Sequence, residues 1–248
     1  MGNQAAIRFE HVCKAFGEQR VLDDISFEVQ AGEAFCILGR SGTGKSVTLK
    51  QLIRLIQPDD GKIFIEEEEI THMGAQDLSR VRQKMGFLFQ SAALFDSITI
   101  GENVAFPLRR HTDHSEDQIQ QIVQERLEEV GLADQASKMP TQLSGGMRKR
   151  AGLARALALG PSILLVDEPS SGLDPITSAE IDELLLELKV RKKTTMVVVT
   201  HNIPSARRIG DTLALLHQGH ILQKGTAQQL QESGHELVRE FMKAQGGT

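Results

Sequence analysis

At 248 residues and a formal net charge of −5, the chain can build one large or two small packed domains, and its charge gives no general reason to expect nucleic acid, which favours a basic face. Hydrophobic residues make up 40% and charged residues 25%, a globular mixture, and the longest apolar runs (Ile163 to Val166, Met196 to Val199) fall far short of the roughly 20 residues of a spanning helix. Met1 to Glu10 carries no basic-then-apolar export pattern, and Cys13 and Cys36 have no metal-ligand spacing, so reduced cytosolic thiols are expected, and any service to a membrane would run from the cytoplasmic side through a partner.

Ile7 to Phe9 and Ile25 to Val29 alternate apolar and polar residues, predicting strands with one wet face. Ala34 to Leu38 is apolar throughout, as a strand buried on both faces must be, and runs through a glycine-rich turn into a helix over Lys45 to Ile56. Gly61 to Ile65 and Gly86 to Phe89 are further strand candidates, and Glu66 to Glu69 reads as a solvated hairpin edge. From Ser91 to Gly160 the pattern turns helical. Asp113 or Ser115 can cap a helix whose Ile119, Val123, Leu127 and Val130 share a face, with Gly131 as its stop. Strands return at Ile163 to Val166 and Thr195 to Thr200, each followed by helix. The fold class expected is therefore α/β, interrupted by a helical insertion. No internal repeat or low-complexity segment occurs.

Gly39-Arg40-Ser41-Gly42-Thr43-Gly44-Lys45-Ser46 fits the P-loop pattern G-x-x-x-x-G-K-[ST], placed between an apolar strand and a helix as that motif requires. The glycines let backbone N–H groups curl inward around a phosphate, and the helix that follows adds its partial positive charge. Lys45 supplies a point charge to the β- and γ-phosphates, and the Ser46 hydroxyl can ligate Mg²⁺. Further on, four apolar residues, Ile163 to Val166, carry Asp167 and Glu168 to the carboxyl end of a strand, where open α/β sheets bind ligands. Asp167 is assigned to the Mg²⁺ shell, and Glu168 to the attacking water as general base.

Leu143-Ser144-Gly145-Gly146-Met147, at the head of a helix expected over Arg148 to Leu159, resembles the LSGGQ signature of ABC ATPases. The resemblance spans Ile7 to Leu230. It implies a P-loop NTPase core with an antiparallel β subdomain and an inserted α-helical subdomain: a single ABC ATPase domain over 1–248, with 1–90 and 161–234 as core, 91–160 as helical subdomain and 235–248 as a short tail. In that family Ser144, Gly145 and Gly146 would bind the γ-phosphate of ATP held by a second copy. Met147 stands where the family has glutamine, a position that points away from the phosphate. Gln90 matches the Q-loop glutamine that meets Mg²⁺ and the attacking water. Ser171 to Pro175 match the D-loop at the dimer interface, placing Asp174 at the nucleotide, and His201 matches the switch histidine on the γ-phosphate. Phe16 takes the place of the tyrosine that stacks on adenine, keeping the ring but not the hydroxyl, which softens the expected preference for adenine over guanine. ATP and Mg²⁺ are the implied cofactors, and an ATP-sandwiched homodimer the implied enzyme.

Ser91-Ala92-Ala93-Leu94-Phe95, followed by Asn103-Val104-Ala105-Phe106-Pro107-Leu108-Arg109, looks like the ATPases of phospholipid transporters associated with mammalian-cell-entry (MCE) proteins, the maintenance-of-lipid-asymmetry (Mla) group. Leu-Ser-Gly-Gly-Met followed by Arg148-Lys149-Arg150 is similar to that group as well. The resemblance implies phospholipid movement between inner and outer membranes, a permease in the inner membrane with this subunit peripheral on its cytoplasmic side, and MCE-domain and STAS-domain partners. Two rival readings remain: the ATPase of an amino-acid or other small-solute importer, and an ATP-driven dimer that signals mechanically to cell-wall enzymes. DNA-repair relatives are disfavoured, since only Val47 to Gln142 separates P-loop from signature. Leu237, Val238, Phe241 and Met242 share one helical face, which either packs on the chain's own core or docks a second subunit or small partner. Arg191-Lys192-Lys193 reads as a solvated turn.

Overall fold

A computed structural model describes residues 5–244. In chain order the elements are β1 (Ala5–Phe16), β2 (Gln19–Gln30), β3 (Ala34–Leu38), α1 (Lys45–Leu52), β4 (Asp60–Ile65), β5 (Glu68–Glu69), α2 (Ala75–Gln83) and β6 (Met85–Leu88). The helices α3 (Ile100–His111), α4 (Glu116–Glu129) and α5 (Gly145–Leu157) follow. The chain closes with β7 (Ile163–Asp167), α6 (Pro175–Lys192), β8 (Thr195–Thr200), α7 (Ile203–Ile209), β9 (Thr212–His217), β10 (His220–Gly225), α8 (Ala227–Gln231) and α9 (Glu236–Lys243).

Two sheets result. An antiparallel one runs β2-β1-β4-β5, and a six-stranded one runs β10-β9-β3-β8-β7-β6, parallel except at its β10 edge. The even period of a strand explains how β3 can be apolar throughout. Cys36 and Leu38 face one core with α3 to α7, while Phe35 and Ile37 face the other with α1 and the antiparallel sheet. Burial on both faces pushes the Cys36 thiol up to about 12, so it is inert. A stack of Phe9, Phe27 and Phe35, with centroids 4.5 and 4.9 Å apart, joins the sheets.

The helical stretch is packed from its sequence pattern. Ile119, Val123 and Leu127 of α4 are buried, and Ser115, not Asp113, makes the capping box with Gln118. Gly131 stops the helix at φ 69°. Residues 91–99 are not helical. This loop is held by the buried amide of Asn103, which accepts from Phe95 N and donates to Phe95 O, Ile98 O and Thr99 O, and by Arg155, which donates to Ala92 O and Ala93 O. Two further boundaries move. Helix α1 ends at Leu52 rather than Ile56, because Arg54 turns left-handed at φ 53°. Helix α5 starts at Gly145 rather than Arg148, because the Ser144 hydroxyl accepts from Met147 N and caps it.

The acidic hairpin lies at the sheet edge as expected, and its carboxylates are paired. Glu66 pairs with Lys84, and Glu68 pairs with both Lys84 and Arg80. The Arg80 guanidinium holds the Glu68 carboxyl down at about 2. The apolar stripe of α9 packs on the chain's own core, with Val238 and Met242 fully buried and Leu237 and Phe241 against them. Residues 245–248 of the tail lie outside the described residues.

Candidate active site

The strand order β3-β8-β7-β6 lines up four carboxyl ends side by side. From them emerge, in the same order, the Gly39 loop, His201, Asp167 with Glu168, and Gln90. A cleft of 760 Å³ opens over this edge, within the range of small-molecule sites. Its lining includes Gly39 to Gly42, Gly44 to Ser46, Gln90, Glu168, Ser171 and His201, with Phe16 at the rim and half-exposed. A second cleft, of 730 Å³, lies among Gly32, Glu66, Arg126 and Lys193, without such a constellation.

The loop geometry follows from its residue types. Gly44 sits at φ 102°, and a Cβ there would meet the Val21 carbonyl at 2.8 Å, so only glycine fits. Thr43 Oγ1 donates to Arg40 O at 2.9 Å, folding its hydroxyl into the loop. Lys45 is 5% exposed, and its ammonium donates to Gly39 O and Arg40 O at 2.8 and 2.9 Å. It also lies 3.5 Å from Glu168 Oε1, so the cation reaches both the loop and the acid.

Glu168 is the most constrained residue of the site. It is buried and left-handed at φ 46°, a conformation costing a non-glycine residue roughly 1–3 kcal/mol. Its N–H donates to Val199 O, and its Oε2 accepts from Thr200 Oγ1, His201 N and His201 Nδ1, the last at 2.8 Å. The carboxylate is thereby fixed from the β8 side. Neighbouring Asp167 accepts from Ser46 Oγ at 2.8 Å, and burial raises its pKa while that hydrogen bond opposes the rise. Gln90 Nε2 donates to Ser171 Oγ at 3.3 Å, bridging two loops over the cleft.

Among the described residues no three His, Cys, Asp or Glu side chains form a metal-ligating group. The adjacent Ser46 hydroxyl and Asp167 carboxylate nonetheless match a Mg²⁺ that takes most of its oxygen ligands from phosphate and water.

Not every expected residue reaches this cleft. Ser144, Gly145 and Gly146 lie outside its lining. Their helix tip packs on the start of α6, where a Cβ on Gly146 would meet Thr177 Cγ2 at 2.3 Å and one on Gly145 would meet Leu173. Met147 turns its side chain toward the core, so its departure from glutamine leaves the tip free. Asp174 also stays outside, capping α6 by accepting from Ile176 N, Thr177 N and Thr177 Oγ1, and the Thr177 hydroxyl holds its carboxyl below the usual range. Sequence reasoning misses Gln19, Val21, Val47 and Phe241 in the cleft lining, and Lys149 beneath Glu168. Phe241 reads from the sequence only as part of the tail stripe. Lys149 carries a readable sign, a charge on the buried Gly146, Lys149, Leu153 face of α5.

A family model described as ABC transporter matches residues 22–171, more than half of the chain. The "Probable ribonucleotide transport ATP-binding protein mkl" of Mycobacterium leprae is 44% identical over 96% of this chain and 68% of its own length. The chain spans 66% of its counterpart from Mycobacterium tuberculosis, just under two thirds. The methionine import ATP-binding protein MetN 2 of Pseudomonas aeruginosa is 40% identical over 95% of this chain and 72% of its own. The intermembrane phospholipid transport system ATP-binding protein MlaF of Haemophilus influenzae is 37% identical over 98% and 92%. A solved dimeric ATP-binding cassette in a post-hydrolysis state, bound to ADP and Pi, superposes with a TM-score of 0.82 at 32% identity, over 89% of this chain and 98% of that one. With the P-loop, the paired acids and the Ser-Gly-Gly helix tip arranged as above, the chain belongs to the ABC transporter family and is an ATP-hydrolysing cassette.

Proposed function

We propose that the chain is the ATPase subunit of a phospholipid transporter, working as an ATP-sandwiched homodimer against a separate permease. The observation that carries the mechanism is a division within one chain. The cleft gathers Lys45, Glu168, His201 and Gln90, whereas the Ser144 tip lies outside it. A tip held away from its own cleft is available to a second copy, and the chain resembles an ATP-binding cassette solved as a dimer.

In this reading the N–H groups from Gly39 to Gly44 and the Lys45 ammonium cradle the phosphates, and Phe16 stacks on the base. Ser46 and Asp167, with Gln90, would hold Mg²⁺, which when bound would supply charge neutralisation for the phosphates. Glu168 takes the proton of the attacking water, held by the contacts that fix its Oε2. His201 orients that carboxylate and the γ-phosphate. Ser144, Gly145 and Gly146 of the partner copy close the site, with Asp174 at the seam.

The lipid assignment is supported by residues 89–109 and by the 37% relative named for phospholipid transport. Phe95, on the loop pinned by Asn103 and Arg155, and Phe106, on α3, are exposed rings 5.0 Å apart and would offer a contact for the permease. The subunit would then sit peripherally on the cytoplasmic side of the inner membrane, and MCE-domain and STAS-domain proteins are its further partners. The 40% identity to a methionine import ATPase supports a second reading, a small-solute importer. Purifying the tagged chain from its native membrane distinguishes the two. An MCE-domain protein and bound phospholipid are expected; recovery of a solute-binding protein with neither rejects the lipid reading.

A further inference from the structure

Lys149 has no part in the roles assigned so far, yet it is nearly fully buried, 5% exposed, on the inward face of α5. Long cations seldom occupy such positions without a partner, since losing water costs several kcal/mol. Its ammonium makes its one hydrogen bond among the described residues to Glu168 O, at 3.0 Å. That carbonyl also accepts from Ser171 N, whose side chain in turn takes the Gln90 amide. On the other side of the same residue, Glu168 N is tied to Val199 O.

We propose that Lys149 is a positioning residue for ATP hydrolysis: it clamps the left-handed Glu168 peptide so that the carboxylate points into the cleft. Three observations converge on this. Glu168 is a non-glycine residue held at φ 46°, which persists only where its surroundings enforce it. Its amide end is held by β8, and its carbonyl end by Lys149 and Ser171. The charge also lies beside two adjacent carboxylates, Asp167 and Glu168, whose mutual repulsion it offsets. An apolar side chain of the same length would fill the space but leave the carbonyl to Ser171 N alone. The inference rests on Glu168 acting as the general base.

The test compares Lys149→Met and Lys149→Arg with wild type in the transporter complex purified through a tag on this chain, reading kcat, the KM for ATP and the thermal midpoint. Lys149→Met should lower kcat at least tenfold and leave KM within about twofold, because Lys149 does not line the cleft. Its thermal midpoint should fall, since Asp167 and Glu168 lose a neighbouring cation, so kcat and KM are read well below that midpoint, where the variant is folded. Lys149→Arg, which restores a donor and a charge, should recover most of the loss. Wild-type kcat in Lys149→Met overturns the proposal, as does a kcat loss that is not rescued by arginine. A Glu168→Gln control separates the two claims. If it turns over normally, the assignment of the base fails; if it stops while Lys149→Met runs normally, only the clamp fails.

Discussion

Lys45 and Glu168 face each other across 3.5 Å, and the two variants that separate their duties have opposite signatures. Lys45→Ala removes a buried cation whose reach covers the loop carbonyls, and charge-assisted contacts of this kind contribute roughly 1.5–3 kcal/mol. ATP affinity should therefore fall about tenfold to about a hundredfold, which fluorescent-nucleotide titration measures directly. Glu168→Gln keeps the shape and the cradle, so binding should persist while turnover drops roughly 10²–10⁴-fold. A phosphate-release assay with bound nucleotide quantified in parallel reads both, and equal loss of binding and turnover would refute the division. Both residues are legible in the amino-acid sequence alone, because phosphate and metal chemistry demands particular residue types at fixed spacing. Lys149 is not. Its task depends on a contact 19 positions away in sequence, and no local pattern announces which carbonyl a buried ammonium will meet.

Elements are legible in proportion to how strongly each obeys a period. The uniformly buried β3, β7 and β8, each built on an apolar run, and the stripe of α4 sit where their patterns place them. Helix α2 escapes such a reading: it has no side-chain cap and only Leu78 and Val81 buried, so its signal is one turn deep. The hairpin of β9 and β10 escapes it too, because Gln218 and Gly219 are its only turn signal and β10 has no buried residue. Close packing between elements leads to a prediction at this scale. A Cβ on Gly86 of β6 would strike the Ala156 carbonyl of α5 at 2.4 Å, where neither backbone can yield. Gly86→Ala should cost about 1–3 kcal/mol, or about 2–4 °C of melting temperature per kcal/mol for a chain of this size. An unchanged melting curve would mean that α5 lies farther from the sheet than described.

For the molecule as a whole, the test is whether half of each reaction centre arrives from another copy. Ser144→Arg should abolish turnover although its own cleft is untouched. Because Ser144 also caps α5, a substitution there risks about 1 kcal/mol of helix stability. Ser144→Asp preserves that cap yet opposes a carboxylate to phosphate. It should melt like wild type, bind ATP and still fail to hydrolyse it, whereas an active Ser144→Asp protein contradicts a shared site. The signature triplet is enough to suggest the sandwich, but nothing in its residue types reveals that Gly146 also lets α5 approach Thr177.

The parallel ladder has a mechanical corollary. Neighbouring strands lie about 4.8 Å apart, and β3, β8, β7 and β6 are hydrogen-bonded in one continuous array. The roots of the phosphate loop, the histidine, the acids and the glutamine are therefore pegged at fixed intervals along a stiff bar. Any on–off control of turnover must act through the few loop residues beyond each strand end, or through a neighbour's approach, because shifting the bases themselves would mean tearing the ladder.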